Sequence, residues 1–221
     1  MEINDVLRER GLAVHRRLID TYGEPHWQPH LEPIDELVST ILSQNTNDLN
    51  RDRAFAALRA RFPTWAAVRD ADPDSLKAAI RVAGLADQKA SAIRRALQQI
   101  EAERGELSLD FLRELPLEEA KAWLTRIKGV GPKTAAIVLL FALGRPAFPV
   151  DTHVHRVSKR IGLIDQRVSR EQAQVVFETL MPPESFYALH LNMIRHGRAV
   201  CVARQPRCDR CTVRDLCDYN R

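Results

Sequence analysis

Residues 124–157 read LTRIKGVGPKTAAIVLLFALGRPAFPVDTHVHRV, and the rest of the chain can be interpreted outward from them. Apolar residues at helical spacing lead up to Lys128, and two glycines, Gly129 and Gly131, then frame a tight turn. Pro132 suits the first turn of a new helix, because that position needs no N–H donor. The segment therefore predicts two helices joined by a short hairpin.

The hairpin itself has two interpretations. Its N–H groups lie beside a helix N-terminus, which favours an anion such as phosphate. The same turn also occurs as a plain corner between helices that binds nothing. It is not a Walker loop, because the upstream glycine of that motif is missing. The candidate phosphate contacts are Lys128, Gly129, Val130 and Gly131.

The second helix opens with Lys133 and continues as an apolar run from Ala135 to Leu143. A helix that is apolar all round is buried. We expect the surroundings of a lysine at its edge, near the positive end of the helix dipole, to disfavour the charged ammonium form of the side chain. A nucleophilic amine must be uncharged, so such surroundings would favour a nucleophile. The alternative, and the commoner role of a lysine, is a solvated side chain.

Asp151 precedes a third predicted helix, which carries Val154, Val157 and Ile161 at helical spacing. An aspartate in this position is predicted to be the N-cap of that helix. A carboxylate held at a cap is also well placed to stabilise a developing cation. The sequence supports both roles.

Helical spacing recurs along the whole chain and predicts an all-α fold. Asp87 is predicted to cap a long helix that ends at Gly105. A polar break at residues 43–48 separates two other helices. Amides in such a break are usually only loop residues, but Gln44 and Asn45 offer both donor and acceptor atoms and so can read base edges.

Two weaker features also point towards nucleic acid. Leu85 lies on a predicted loop directly after Gly84. Such a leucine usually packs into the core, and less often wedges between bases. The net charge of +4 favours polyanions only mildly.

All four cysteines lie near the end of the chain, at Cys201, Cys208, Cys211 and Cys217, in the pattern C-x6-C-x2-C-x5-C. Two disulfides are unexpected in a chain without an export signal. Four thiolates in one loop suit either a tetrahedral zinc ion or a [4Fe–4S] cluster, and the spacing leaves this choice open.

The same loop carries arginines that would form a phosphate-binding edge if a metal held the loop rigid, with Arg204 and Arg207 as the candidates. Solubility is the alternative role of these charges. The acidic start of the chain lacks a signal peptide, and its longest apolar run is far short of the ~20 residues that span a bilayer. We therefore expect a cytoplasmic, nucleoid-associated protein without a membrane partner.

Four motifs together resemble the endonuclease III family of the helix-hairpin-helix DNA glycosylase superfamily. They are residues 41–46, 127–135 and 149–153, and the cysteine pattern of the tail. The similarity extends over essentially the whole chain. Each motif alone is weak, but the combination is highly specific.

The resemblance implies two all-α lobes flanking a DNA-binding cleft. One is a six-helix barrel over residues 31–145, which ends in the helix-hairpin-helix. The other is a discontinuous iron–sulfur domain, formed by residues 1–30 and 146–221. The resemblance also shifts the metal assignment from zinc to a [4Fe–4S] cluster. A monomer that binds double-stranded DNA containing damaged bases or abasic sites is expected.

The resemblance further implies a bifunctional glycosylase and AP lyase that excises oxidised pyrimidines. Lys133 matches the nucleophilic lysine of the family and Asp151 its catalytic aspartate. Either Gln44 or Asn45 would fill the gap left by the flipped base. Leu85 matches the family's wedge leucine.

His153 of the Asp-Thr-His motif is expected near the DNA; a zinc-ligand pair with His155 is not, since positions i and i+2 of a helix face apart. Two other functions remain open. A mismatch thymine or uracil glycosylase would share the architecture, although Lys133 argues against it. A DNA-binding iron–sulfur protein without catalysis would fit every feature except the pair Lys133 and Asp151.

Overall fold

The computed structural model describes residues 3–220, and within that range the prediction of an all-α fold is confirmed, with no β-strand. The α-helices are α1 (Asp5–Tyr22), α2 (Pro33–Ser43), α3 (Asp48–Arg61), α4 (Trp65–Asp70), α5 (Pro73–Ile80), α6 (Ala86–Arg104), α7 (Leu117–Arg126), α8 (Pro132–Ile137), α9 (Thr152–Ile161), α10 (Arg170–Leu180) and α11 (Phe186–Ala199). Short 3-10 helices occupy Arg81–Ala83, Asp110–Arg113, Pro183–Ser185, Cys208–Arg210, Arg214–Leu216 and Asp218–Asn220.

The chain divides into two compact units. Residues 29–145 form the first unit, which contains α2 to α8. The second unit combines the segment before Pro29 with the segment that starts at Pro146. It contains α1, α9 to α11 and the cysteine-rich loop.

The first unit is built around α2, which packs against α3, α6 and α8. Nearly every side chain of α2 is buried, including Leu37, Val38, Ile41 and Leu42. The apolar residues of α2 recur at helical spacing, and the polar residues Glu36, Ser39 and Thr40 between them are buried as well. This central position fixes the C-terminal end of α2, from which the polar break begins.

The predicted hairpin is confirmed. Helix α7 ends at Arg126, and α8 begins at Pro132. Between them Gly129 adopts a φ of 97°, a conformation that favours glycine. Helix α8 continues as a π-helical turn, Val138–Ala142, which completes the buried apolar run.

The predicted capping role of Asp87 is wrong. The N-cap of α6 is Leu85, which has a φ of 49°, so the helix begins at Ala86, two residues earlier than a cap at Asp87 would place it. Asp87 lies in the first turn and pairs with Lys77 Nζ at 2.7 Å. Propensity favours Asp over Leu at a cap, but here an ion pair with α5 competes for the carboxylate.

In the second unit, α11 packs against α9 and α1. Three phenylalanines lie at its core. Phe148 stacks on Phe177, with ring centroids 4.5 Å apart, and meets Phe186 edge-on at 5.4 Å. Helix α10 opens with a capping box between Ser169 and Gln172. Among the helices of residues 3–220, none combines the length and apolarity needed to cross a bilayer.

Candidate functional site

Lys133 lies in the first turn of α8 and is exposed, whereas Thr134, Ala135 and Ala136 behind it are buried. The expectation that the buried helix would desolvate this lysine is therefore wrong for the free protein. Helix α8 packs against α2 and α7, but Lys133 in its first turn is exposed. Its amine is accessible to a ligand.

The hairpin presents Lys128, Gly129 and Gly131 at the surface. Val130 differs from them, because its side chain is only 4% exposed and its N–H donates to Ile127 O at 2.9 Å. Val130 thus stabilises the turn. The N–H group of Val130, one of the four candidate phosphate contacts, is therefore already used within the turn. A phosphate contact would be made by Lys128, Gly129 and Gly131.

The polar break contacts the hairpin directly. Gln44 Nε2 donates to Gly129 O at 3.3 Å, which connects two segments that are distant in sequence. Asn45, the next residue, is exposed and has a φ of 53°. The two candidate gap-filling residues therefore differ, since Gln44 is tethered to the hairpin and Asn45 is held in a left-handed conformation.

Leu85 is 48% exposed, so the alternative in which it packs into the core is wrong. A large apolar side chain at the surface, held at a positive φ of 49°, is an unfavourable arrangement for an ordinary loop. Such strain is typical of residues that contact a ligand.

Asp151 is the N-cap of α9, as predicted. Its Oδ1 accepts a hydrogen bond from Val154 N at 2.7 Å. The side chain is half-buried. The backbone donor therefore holds the carboxylate in one orientation at the start of the helix.

The two histidines that follow Asp151 have different partners. His153 lies beside Arg156, with 3.1 Å between Nδ1 and Nη2, and packs closely against Gly197 of α11. His155 instead contacts Val168 O through Nε2 at 2.9 Å. They do not face a common ligand, in agreement with the argument from helical spacing.

The four cysteines are free thiols, of which Cys217 is buried and the others are half-buried. Burial raises the pKa of the Cys211 and Cys217 thiols, and the neighbouring cysteines raise it further. The four sulfurs are thus close enough to interact electrostatically. Within residues 3–220, no three His, Cys, Asp or Glu side chains lie close enough together to hold a single metal ion.

Two arginines of α9 hold the start of the cysteine loop, and the sequence reasoning missed both. Arg156 Nε donates to Cys201 O at 3.0 Å. Arg160 donates to Val202 O at 2.7 Å, to Ala203 O at 2.9 Å and to Cys201 Sγ at 3.4 Å. The two arginines are four residues apart and therefore lie on one face of the helix. This spacing is the sequence feature that could have indicated a shared contact.

A histidine of α11 also reaches the cysteines. His196 Nε2 lies 3.5 Å from Cys211 Sγ, and its Nδ1 lies 3.1 Å from the hydroxyl of Tyr22. Burial lowers the pKa of His196 to about 4, so the ring is neutral at neutral pH. No local sequence pattern indicates this contact, because the three residues come from separate segments of the chain.

The two arginines predicted as phosphate contacts are both exposed. Arg207 is partly tied to the protein, since its Nη1 donates to Ala199 O at 3.2 Å. The loop backbone between Arg204 and Arg207 includes Gln205, which has a φ of 53°. The loop therefore has a defined conformation that presents charge on its outer side.

Comparison with known proteins agrees with the resemblance inferred from sequence. The family model described as "HhH-GPD superfamily base excision DNA repair protein" matches residues 38–183. Endonuclease III of Escherichia coli strain K12 is 33% identical over 214 residues, covering 96% of each chain. A candidate DNA glycosylase of Arabidopsis thaliana is 42% identical over 165 residues, and the match covers 75% of this chain and 56% of the relative.

Among solved structures, one described as a trapped endonuclease III–DNA covalent intermediate superposes with a TM-score of 0.84 at 26% identity, covering 96% of each chain. A helical fold with a helix-hairpin-helix, an adjacent lysine and a four-cysteine loop defines a class of DNA repair protein. The chain belongs to the HhH-GPD superfamily of base excision DNA repair proteins. Its resemblance to endonuclease III is confirmed.

Proposed function

We propose that this protein is a bifunctional DNA glycosylase and AP lyase that removes damaged, chiefly oxidised, pyrimidines from duplex DNA. The observation that carries the proposal is the exposed amine of Lys133, in the first turn of the helix that follows the hairpin. Membership of the superfamily and the likeness to a trapped covalent endonuclease III–DNA complex support it.

Base removal is the first step. A base inside a duplex is out of reach, so the damaged nucleotide is first flipped out of the stack. As the base departs with the bonding electrons of its glycosidic bond, positive charge develops on the deoxyribose. The carboxylate of Asp151, held at its cap by Val154 N, stabilises that charge.

Strand cleavage follows from the chemistry of an amine. The neutral amine of Lys133 bonds to C1′ of the sugar in place of the departed base. The C1′–O4′ bond then breaks, which opens the ring, leaves a hydroxyl on C4′ and gives a Schiff base at C1′. The iminium acidifies the proton on C2′. Its removal expels the 3′ phosphate by β-elimination, and hydrolysis of the imine then restores the lysine.

The DNA contacts follow from the same assignment. The hairpin of residues 128–131 holds a backbone phosphate. Gln44 or Asn45 fills the gap left by the flipped base, and Leu85 wedges into the stack beside it. Further backbone contacts come from His153, Arg204 and Arg207.

A [4Fe–4S] cluster is the proposed cofactor, with Cys201, Cys208, Cys211 and Cys217 as its ligands. These thiolates would hold the cluster, since iron–sulfur clusters are bound through cysteine thiolates. Three observations fit this donor set: free thiols, electrostatic interaction among them, and an arginine that donates to a sulfur. When bound, the cluster cross-links a loop that has little core of its own.

The proposed partner is double-stranded DNA that contains damaged bases or abasic sites, bound by a monomer in the cytoplasm near the nucleoid. The net charge of +4 supports association with a polyanion.

Covalent trapping tests the proposal. Borohydride reduces a Schiff base to a stable amine, so the holoprotein should become covalently attached to duplex DNA containing thymine glycol or an abasic site. Lys133→Ala should abolish trapping. The control is Lys121→Ala, which removes a lysine of α7 whose side chain is 14% exposed and whose amine pairs with Glu118 at 2.8 Å. This variant should trap as well as the unaltered protein.

Three outcomes would contradict parts of the proposal. Absence of trapping in the unaltered protein would favour a DNA-binding protein without catalysis. Trapping that survives Lys133→Ala would place the nucleophile elsewhere. Turnover can be measured on a panel of duplexes that each contain one lesion. If only mismatched thymine or uracil is removed, the substrate is a mismatched base and not an oxidised pyrimidine.

A further inference from the structure

Lys89 is a buried lysine that the proposed chemistry does not use. It lies near the start of α6 and is only 3% exposed. Its Nζ donates two hydrogen bonds of 2.8 Å, one to Leu42 O and one to Ala83 O. An ammonium group in the interior is costly unless such acceptors surround it. The two acceptors belong to different segments of the chain.

The first acceptor completes the C-terminal end of α2. The last four carbonyls of a helix lack partners within the helix. Three of them are satisfied locally: Ser43 Oγ donates to Thr40 O, Gln44 N to Ile41 O, and Thr46 N to Ser43 O. Leu42 O, the fourth, receives its hydrogen bond from Lys89. Lys89 therefore holds the point from which the loop with Gln44 and Asn45 departs.

The second acceptor lies at the start of the other loop. Ala83 ends the 3-10 helix Arg81–Ala83, and the chain then passes through Gly84 and Leu85 at φ values of 69° and 49°. Positive φ is unfavourable for leucine and persists only where the surroundings enforce it. The bond from Lys89 to Ala83 O supplies such a constraint immediately before the strained residues.

We propose that Lys89 is a positioning residue that couples the two lesion loops, defined as residues 44–46 and 84–85, so that they enter the DNA stack as one preformed unit. The proposal rests on the proposed function, which assigns both loops to the gap around a flipped base. One ammonium group fixes the backbone at the base of both loops. Ordering them before DNA binds removes a cost that binding would otherwise include.

The first test is made on the free holoprotein and does not depend on catalysis. Lys89→Met keeps the apolar stem and removes the donors. Amide hydrogen exchange at Gln44, Thr46 and Gly84 should accelerate together, by about tenfold, because each bond to a charged donor is worth more than an ordinary one. The matched control is Ile100→Ala, a core truncation near the other end of α6. It should accelerate global exchange and leave exchange at the loop amides unchanged.

The second test measures binding to a duplex with a tetrahydrofuran abasic analogue, which cannot undergo β-elimination. Lys89→Met should weaken this affinity by about tenfold and change affinity for undamaged duplex by less than about twofold, since phosphate contacts are unaffected. Lys89→Arg, which keeps a charged donor, should restore part of the preference. Lys89→Gln, with one amide donor, replaces Lys89→Met if the latter does not fold.

The proposal is overturned if only one loop exchanges faster, if neither does, or if Ile100→Ala produces the same change in loop exchange and lesion preference. It is also overturned if Lys89→Met weakens binding to both duplexes equally. If the unaltered protein shows no preference for the abasic analogue over undamaged duplex, that result would contradict the proposed function instead. In that case the exchange experiment still decides whether Lys89 couples the loops.

Discussion

Arg160 Nη1 lies 3.4 Å from Cys201 Sγ, and the same guanidinium donates to the carbonyls of Val202 and Ala203. Arg160 is on α9, the helix whose N-cap is Asp151. One helix thus carries the candidate catalytic carboxylate at its start and a support for the cysteine loop at its end. The loop and the carboxylate share a rigid element.

Arg160→Met should lower the reduction potential of a bound cluster. Hydrogen bonds and positive charge at a ligating sulfur stabilise the more negative, reduced state. Their loss should shift the potential downward by tens of millivolts, given that a one-electron couple moves by about 59 mV for each tenfold change in equilibrium constant. Potentiometric titration followed by visible absorbance checks this. Arg210→Met, which removes a charge from the same loop, is the control, and an equal shift there would contradict a specific role for Arg160.

Asp151→Asn should separate capping from catalysis. Asparagine caps helices about as well as aspartate but carries no charge, so the melting temperature should stay close to that of the unaltered protein. Single-turnover base excision should slow by roughly 10²- to 10³-fold, the scale of a lost electrostatic stabiliser. Asp151→Ala should in addition lose about 1 kcal/mol of stability. If Asp151→Asn excises at the normal rate, the residue is only a cap.

Purified protein should be yellow-brown, with broad visible absorbance from iron–sulfur charge transfer. Cys208→Ser should lose this colour and the iron, and its cysteine loop should become sensitive to proteolysis, because the cluster replaces a core that the loop lacks. Metal analysis gives the stoichiometry. A colourless sample that contains one zinc ion per chain would refute the iron assignment.

His15 should make the protein less stable in mild acid. Burial lowers its pKa below the ordinary value of 6.5, and within residues 3–220 its Nδ1 is buried without a hydrogen-bond partner. The unfolded state therefore binds the proton more readily, so the stabilisation is present above pH 6.5 and is lost as the pH falls towards the folded pKa.

His15→Leu should remove that contribution to the pH dependence and raise stability at pH 5, because it removes the buried, unpaired Nδ1 of His15. Chemical denaturation at pH 5 and pH 8 measures both effects. An unchanged difference between the two pH values would show that other groups control the acid sensitivity.

Much of the fold was predictable because it depends on residues that are neighbours in sequence. The hairpin between α7 and α8, the cap formed by Asp151 and the capping box at Ser169 each require only a few consecutive side chains. Burial of α8 followed from the apolar run that begins at Ala135. The prediction failed at Leu85, where a local preference for Asp87 as the cap was overridden by its ion pair with Lys77.

The sequence by itself determined which chemistry the chain carries: an amine beside a hairpin, a capped carboxylate and four thiols in one loop. Only the tertiary structure decided how these groups are supported. Lys89 bonds to carbonyls on two separate segments, and Arg160 and His196 reach sulfurs in a distant loop. Contacts of this kind depend on which helices pack together, and helical periodicity identifies a buried face without specifying its partner.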